Sequence, residues 1–284
     1  MKLLNAGQSP FGFHRLLSFM QCPTKYYRSY VSDEDRPKTD SPSLIIGSLV
    51  HTGLAHRYAL IKASQDGQSS DLFDPVSAMR EQANTESGEW LNWIEKAERV
   101  YSQYDSAEST KEFESNIKVV AVEEVYEIKI EQFTLTFRAD LVIEKDGLVY
   151  FVDHKTCAYI KSVSTDGYQA SGQFLAYISY GRQGFENFGG MLLNYIATGG
   201  QRSEKFDTAI LEVQASEDHL SNFGNSVYFY FKMINALDGK AGKFYPRVQS
   251  EFTCTHKYGK CQYYDRCFGS TKQNTNLTGD NNNE

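Results

Sequence analysis

The chain has no run of 18 apolar residues, and Met1 to Pro10 holds one lysine and no long apolar stretch. The first absence argues against a membrane-spanning helix, the second against a secretory signal, so a cytoplasmic protein with no membrane partner is expected. An excess of basic residues is missing too. Thirty-six acidic residues against 29 Lys and Arg give a net charge of −7, which argues against a protein that coats nucleic acid by charge alone. It leaves room for an enzyme whose carboxylates gather around cations, because a bound metal reverses the local field. There is no internal repeat and no G-x-x-x-x-G-K-S/T phosphate loop, so any motor would be a separate chain. Cysteines number five; they are expected as thiols or metal ligands in a reducing compartment rather than as disulfides.

What is present points to a folded enzyme-sized chain. The 284 residues, 40% hydrophobic, suffice for a sizeable core. Aromatics reach 14%, with 19 Tyr and 18 Phe, which suits a core with polar rims or a surface that stacks on bases. Phe11 to Tyr30 reads as two helices broken at Cys22-Pro23, and Leu44 to Ile61 as a helix carrying His51. Asp74-Pro75 opens a long helix to about Tyr104, with Trp90, Trp93, Ile94, Ala97, Val100, Tyr101 and Tyr104 recurring every three or four residues. Val119 to Ile130, Phe133 to Ile143 and Leu148 to Asp153 then read as a three-strand antiparallel meander turned at Lys145-Asp146-Gly147. A helix over Asp166 to Gly181, strands at Gly190 to Ala197 and Ala209 to Val213, and a helix over Glu217 to Leu237 follow. Tyr245 to Phe268 reads as irregular. The expected organisation is a helical region over 1–116, a core with a cysteine-rich end over 117–268, and a disordered polar tail over 269–284.

The meander carries a candidate site. Asp140 lies in its second strand, and Asp153 and Lys155 end the third. Antiparallel pairing brings the two carboxylates near one end of the ribbon, and alternation puts Lys155 on the face of Asp153. Two close carboxylates need a cation, and hard oxygen ligands favour Mg²⁺ or Mn²⁺. Such a metal polarises a phosphodiester and acidifies a bound water, and a neighbouring lysine stabilises transition-state charge. Taken alone, an Asp-x-Lys at a strand end is more often a pair of solvated charges, and His51 on its apolar helix a core histidine. Glu123 and Glu124 on the first strand are further carboxylates, of which at least one is expected to be solvated.

The order of motifs resembles the PD-(D/E)XK nuclease superfamily, specifically its RecB/AddB-like branch with the CRISPR-associated iron–sulfur exonucleases. The residues that carry it are Cys22-Pro23-Thr24-Lys25-Tyr26-Tyr27, Gly47 with His51, Arg138-Ala139-Asp140, Asp153-His154-Lys155, and Gln173 with Tyr177. Cys254, Cys261 and Cys267 close the series, so the likeness runs over about 13–268. Phe137 stands where that branch often has Gly, and Ala139 where the superfamily has Pro. The resemblance implies an α/β, restriction-endonuclease-like fold: a mixed central sheet flanked by helices, with an N-terminal helical cap and a C-terminal cysteine-rich segment. It implies His51, Asp140 and Asp153 as metal ligands together with the backbone carbonyl of His154, and Lys155 as the catalytic lysine. Gln173 would orient the site, and Tyr177 would face DNA or pack.

What the resemblance implies of activity is a DNA exonuclease on single strands or ends, in repair, recombination, or phage- or CRISPR-type DNA processing. The rivals are a non-catalytic DNA-binding module and a nuclease subunit of a helicase–nuclease complex; decay of Asp140, Asp153, Lys155 or Gln173 would favour the first, and all four are present. Relatives with one early and three late cysteines hold a 4Fe–4S cluster, which assigns Cys22, Cys254, Cys261 and Cys267 to it. The C-x6-C-x5-C spacing departs from the commoner C-x2-C-x5-C, and Zn²⁺ is the alternative, with His256 as a substitute ligand. Cys157 is expected to pack.

Overall fold

The computed structural model describes residues 1–4, 11–32, 41–86, 88–160, 166–199, 206–248, 250–256 and 259–269. The tail expected to be disordered lies outside these residues apart from Gly269. The chain forms two compact units, Met1–His14 with Thr39–Lys232, and Arg15–Lys38 with Met233–Glu284.

The first unit is built on a five-stranded mixed sheet: β1 (Ile117–Ile130), β2 (Phe133–Lys145), β3 (Leu148–Cys157), β4 (Phe188–Ala197) and β5 (Thr208–Val213), in that spatial order. The meander is as expected, with β1, β2 and β3 antiparallel. Its tight turn rests on Asp146 and Gly147, both at positive φ (52° and 77°), the backbone demanded by a two-residue hairpin of the right twist. β3 and β4 run parallel, and parallel neighbours need a crossover. α7 (Asp166–Gln169) and α8 (Gly172–Gly184) lie within it. β5 returns antiparallel to β4.

Each sheet face is covered. Leu141, Ile143, Val152 and Ile196 share one core with α3 (Pro42–Gln65) and with Ala97, Val100, Tyr101 and Tyr104 of α5 (Ile94–Ser106). Ser41 caps α3 by accepting from the Leu44 amide, with Pro42 in the first turn. By length and composition α3 could cross a membrane, but 61% of its most apolar stretch is buried inside the protein, the signature of a core helix. The opposite face packs on α8 through an aromatic cluster. The rings of Phe137 and Tyr177 lie 4.6 Å apart, and those of Phe137 and Phe151 5.6 Å apart. Phe137, the residue that departs from the family pattern, therefore serves the core.

Two helices expected to be continuous are divided. The one starting at Pro75 runs as α4 (Pro75–Glu86), a 3-10 turn (Gly88–Trp93) and α5. Gly88 takes φ 58°, which an α-helix cannot accommodate. The other splits into α7 and α8, where a Cβ on Gly172 would meet the Phe13 ring at 2.0 Å. α3 to α6 (Glu108–Glu114), although inside the 1–116 segment, belong to the same compact unit as the sheet.

In the second unit α2 (Pro23–Tyr30) meets the C-terminal segment. Thr24 Oγ1 donates to the Tyr245 carbonyl (2.8 Å), Ser29 Oγ lies 3.1 Å from Tyr263 Oη, and the Tyr27 and Tyr245 rings are 4.7 Å apart. The segment read as irregular contains α10 (Glu251–Cys254), a two-stranded ribbon of β6 (Thr255–His256) and β7 (Gly259–Lys260), and α11 (Tyr264–Phe268). Hydrogen bonds across one or two turns make such short elements, and they leave no hydrophobic period to read.

Candidate active site

β2 and β3 pair as far as Leu141 and Val152 and then part, while β3 continues beside β4 to Cys157. Asp140 and Asp153 are the next residues on the two parting strands. Alternation along β3 puts Asp153 and Lys155 on the face of Phe151, which packs on Tyr177 of α8. Asp140 Oδ2 accepts the His154 backbone N–H at 2.9 Å. Lys155 Nζ lies 2.5 Å from Asp153 Oδ2, an ion pair at the buried carboxylate.

His51 arrives from α3, with Nδ1 3.5 Å from Asp140 Oδ2. Gly47 explains how it reaches. A Cβ at Gly47 would come 2.9 Å from Thr156 Oγ1, so α3 lies close on β3 one turn before His51, and a side chain there would displace the Thr156 hydroxyl or the helix. The His154 backbone carbonyl also acts on His51, in the direction that raises its pKa. The His154 ring lies elsewhere, stacked on Tyr58 at 5.5 Å with Nδ1 3.0 Å from Asn194 Nδ2.

The site holds more negative charge than its surroundings stabilise. Burial pushes the Asp153 carboxyl up to about 6, with Lys155 opposing and Asp140 adding to the rise. Burial likewise raises Asp140, against Lys155 and the His154 amide. Burial acts to lower the Lys155 ammonium, but Asp153 and Asp140 outweigh it and the net direction is upward. His51 is lowered to about 4 by burial and then by Lys155. Its contact with Asp140 is therefore that of a neutral imidazole rather than an ion pair, and the neutral ring is the form that binds metal. Asp153 is the closed floor of the site, with 2% of its side chain exposed, whereas His51 and Asp140 keep 29% and 18% open to solvent, which offsets part of their burial.

A stability prediction follows for metal-free protein. Asp153 binds its proton more tightly folded than unfolded, so its contribution is fully present below its unfolded pKa of 3.8 and is lost as pH rises through about 6. In EDTA, Asp153→Asn should melt close to wild type in acid and above it at neutral pH, by up to about 3 kcal/mol at ~1.4 kcal/mol per pKa unit. Urea unfolding of both proteins across this range checks it; a gap that stays constant or reverses contradicts it.

Gln173 and Tyr177 stand one turn apart on α8. Gln173 Nε2 donates to Tyr177 Oη, and Tyr177 Oη donates to the Arg138 carbonyl, both at 2.8 Å. Tyr177 is 2% exposed. Of the two roles the resemblance allowed, the structure gives it packing, not a face towards DNA: it ties α8 to the strand residue two before Asp140. Tyr177→Phe strands a buried carbonyl and should lower stability by roughly 1–3 kcal/mol while leaving divalent-cation binding near wild type. Thermal melts and calorimetry read the two effects separately, and an unchanged melt would remove the tie from the account.

Some functional neighbours carry no sequence motif. Asn194 on β4 bonds Tyr104 Oη at 2.9 Å, and Tyr104 Oη lies 2.7 Å from Tyr58 Oη. This buried chain holds the far side of His154, and nothing in the pattern of a core strand distinguishes an Asn that does so. Glu123, raised to about 8 by burial and then by Asp140, faces the site, while Glu124 is exposed.

Among the described residues no three His, Cys, Asp or Glu side chains stand close enough to hold a metal as they are. The donors nonetheless suit a hard divalent cation: carboxylates, a neutral imidazole and a backbone carbonyl. In the second unit Cys22, Cys254, Cys261 and Cys267 line one cavity of about 30 Å³, with Tyr263, Tyr264 and Phe268 in its walls. The four thiols share this cavity without closing on a point, and Cys254 Sγ donates to the Val248 carbonyl. Four thiols around one apolar pocket fit a thiolate-held centre. Cys157 does not line it, and the His256 side chain lies outside the described residues.

A mixed sheet with two carboxylates and a lysine at the point where neighbouring strands part defines a restriction-endonuclease-like fold. Residues 10–268 match the PD-(D/E)XK nuclease superfamily, and the chain belongs to it. Members of that superfamily cleave phosphodiester bonds, typically with Mg²⁺ or Mn²⁺. The crystal structure of a candidate exonuclease from Eubacterium rectale superimposes with a TM-score of 0.51 at 13% identity, covering 88% of this chain and 90% of that one; at that identity the likeness is one of fold. The crystal structure of SSO0001 aligns over 78% of this chain and 87% of that chain at 13% identity, with a TM-score of 0.30, too low to define a shared fold. No curated protein matches the chain.

Proposed function

We propose that the protein is a Mg²⁺- or Mn²⁺-dependent deoxyribonuclease of the RecB/AddB-like branch, acting as an exonuclease on single strands or DNA ends. The observation that carries this reading is the convergence of His51, Asp140, Asp153, the His154 carbonyl and Lys155, with the buried Asp153 carboxylate paired to Lys155. His51, Asp140, Asp153 and the His154 carbonyl would hold the cation, which when bound polarises the phosphodiester and acidifies a water. Lys155, held by Asp153, stays protonated and faces the charge that develops on the phosphate. Gln173, through Tyr177, keeps the strand end that presents Asp140 in place.

The same reading puts the protein in the cytoplasm, in DNA repair, recombination, or phage- or CRISPR-type processing, with DNA as substrate and a separate helicase or recombination protein as a candidate partner. It assigns a 4Fe–4S cluster to Cys22, Cys254, Cys261 and Cys267. EDTA is expected to abolish DNA cleavage, and Mg²⁺ or Mn²⁺ to restore it. Ca²⁺ is expected to bind without supporting more than slight cleavage, because it is larger and holds a looser geometry. Digestion of labelled single-stranded DNA under these four conditions checks the reading, and full activity in EDTA would contradict it.

A further inference from the structure

A carboxylate outside the motif set faces Asp140 from β1. The register on either side, Val122 with Leu141 and Glu124 with Ala139, puts Glu123 across from Asp140. Residues directly opposite on antiparallel strands are side-chain neighbours. Glu123 has φ 51°, a left-handed backbone that costs a residue with a side chain free energy and persists only where its surroundings impose it. Part of that constraint is Arg138, whose Nη1 donates to the Glu123 carbonyl at 3.1 Å. Glu123 feels the charges of Asp140 and Asp153, although among the described residues no three such side chains stand close enough to hold a metal as they are. Asp153 beside them is 1% exposed and paired with Lys155.

We propose that Glu123 is a metal-binding carboxylate of this site, joining Asp140 and Asp153 around the divalent cation from the β1 side. The inference rests on the nuclease reading and adds a ligand to it. Three carboxylates gathered beside a single lysine repel one another, and a divalent cation is what offsets that repulsion. His51 and Asp140 then form one open side of the cation and Glu123 another. Glu123 helps set how tightly the cation is held, and its loss is felt first at limiting metal.

Calorimetric titration of the full chain with Mn²⁺ at neutral pH tests this. Glu123→Gln should weaken Mn²⁺ binding at least ~10-fold, the scale on which a lost metal-site partner acts. Glu124→Gln should bind like wild type, and Asp153→Asn should lose binding. Glu123→Gly separates ligand from scaffold, because glycine adopts φ 51° without cost: it should melt at or above wild type and still bind Mn²⁺ more weakly. If Glu123→Gln does not fold, Glu123→Gly carries the test. Wild-type Mn²⁺ affinity in the Glu123 variants, with binding lost in Asp153→Asn, would overturn the role of Glu123 alone. Equal Mn²⁺ binding by wild type and Asp153→Asn would overturn the metal site itself.

Discussion

Lys155→Ala and Asp153→Ala are each expected to lose at least ~10²-fold in DNA cleavage rate while remaining folded. The two residues act on one charge problem from opposite sides. Asp153 is buried at the floor of the site. Lys155 is held 2.5 Å from it and is kept protonated because Asp153 and Asp140 outweigh the cost of burial. A phosphodiester in this space gains negative charge as water attacks, and removing either partner leaves that charge without its nearest compensation. The loss should appear in kcat rather than in DNA affinity, since a charge that develops only in the transition state is stabilised only there. Circular dichroism establishes that each variant folds, and single-turnover digestion at saturating Mg²⁺ reads the rate. Near-wild-type cleavage by either folded variant contradicts the assignment.

Cys22→Ser is expected to have the largest effect on stability. The second unit joins two segments distant in sequence, and Cys22, at the start of α2, shares a cavity with Cys254, Cys261 and Cys267. A centre bound by all four closes a loop of more than 230 residues. On the disulfide analogy, a cross-link of that span removes about 5 kcal/mol of unfolded-chain freedom, well above what the paired side chains Thr24–Tyr245 and Ser29–Tyr263 supply. Anaerobically purified protein is expected to be brown, with broad absorbance near ~400 nm and about four irons per chain. Cys22→Ser should be colourless, melt lower and aggregate, and Cys157→Ser should match wild type in all three. One zinc in a colourless protein would replace the iron–sulfur assignment with the zinc alternative. A Cys22→Ser variant that melts like wild type would contradict any cross-link.

The sheet was largely legible because its strands announce themselves. Val122, Val125, Ile128 and Ile130 gave β1, and Asp146-Gly147 marked the tight turn that aligns Asp140 with Asp153. Helix continuity was not legible. Trp90 and Trp93 keep a helical period through a 3-10 turn, and only the conformation of Gly88 reveals the break. The site residues that lie on one ribbon followed from pairing, since two adjacent strands fix their register locally. His51 did not, because nothing in its own helix says that Gly47 lets α3 close on Thr156; the order of motifs supplied it. Tyr177 shows the reverse. Its position in a motif implied contact with DNA or packing, and its hydroxyl, spent on Gln173 and Arg138, fixed the second. Glu123 and Asn194 depend on which face a distant strand presents, information that exists only after folding.

The most direct test of the account compares linear single-stranded DNA labelled at either end with a circular single strand of the same sequence, each incubated with the protein in Mg²⁺, in Mn²⁺ and in EDTA. Linear strands should be shortened from an end when metal is present, circles should persist, and EDTA should leave both intact. Steady opening of circles would contradict end-directed action and make the protein an endonuclease. Intact linear DNA in both metals, from a folded protein that binds Mn²⁺, would contradict the nuclease itself.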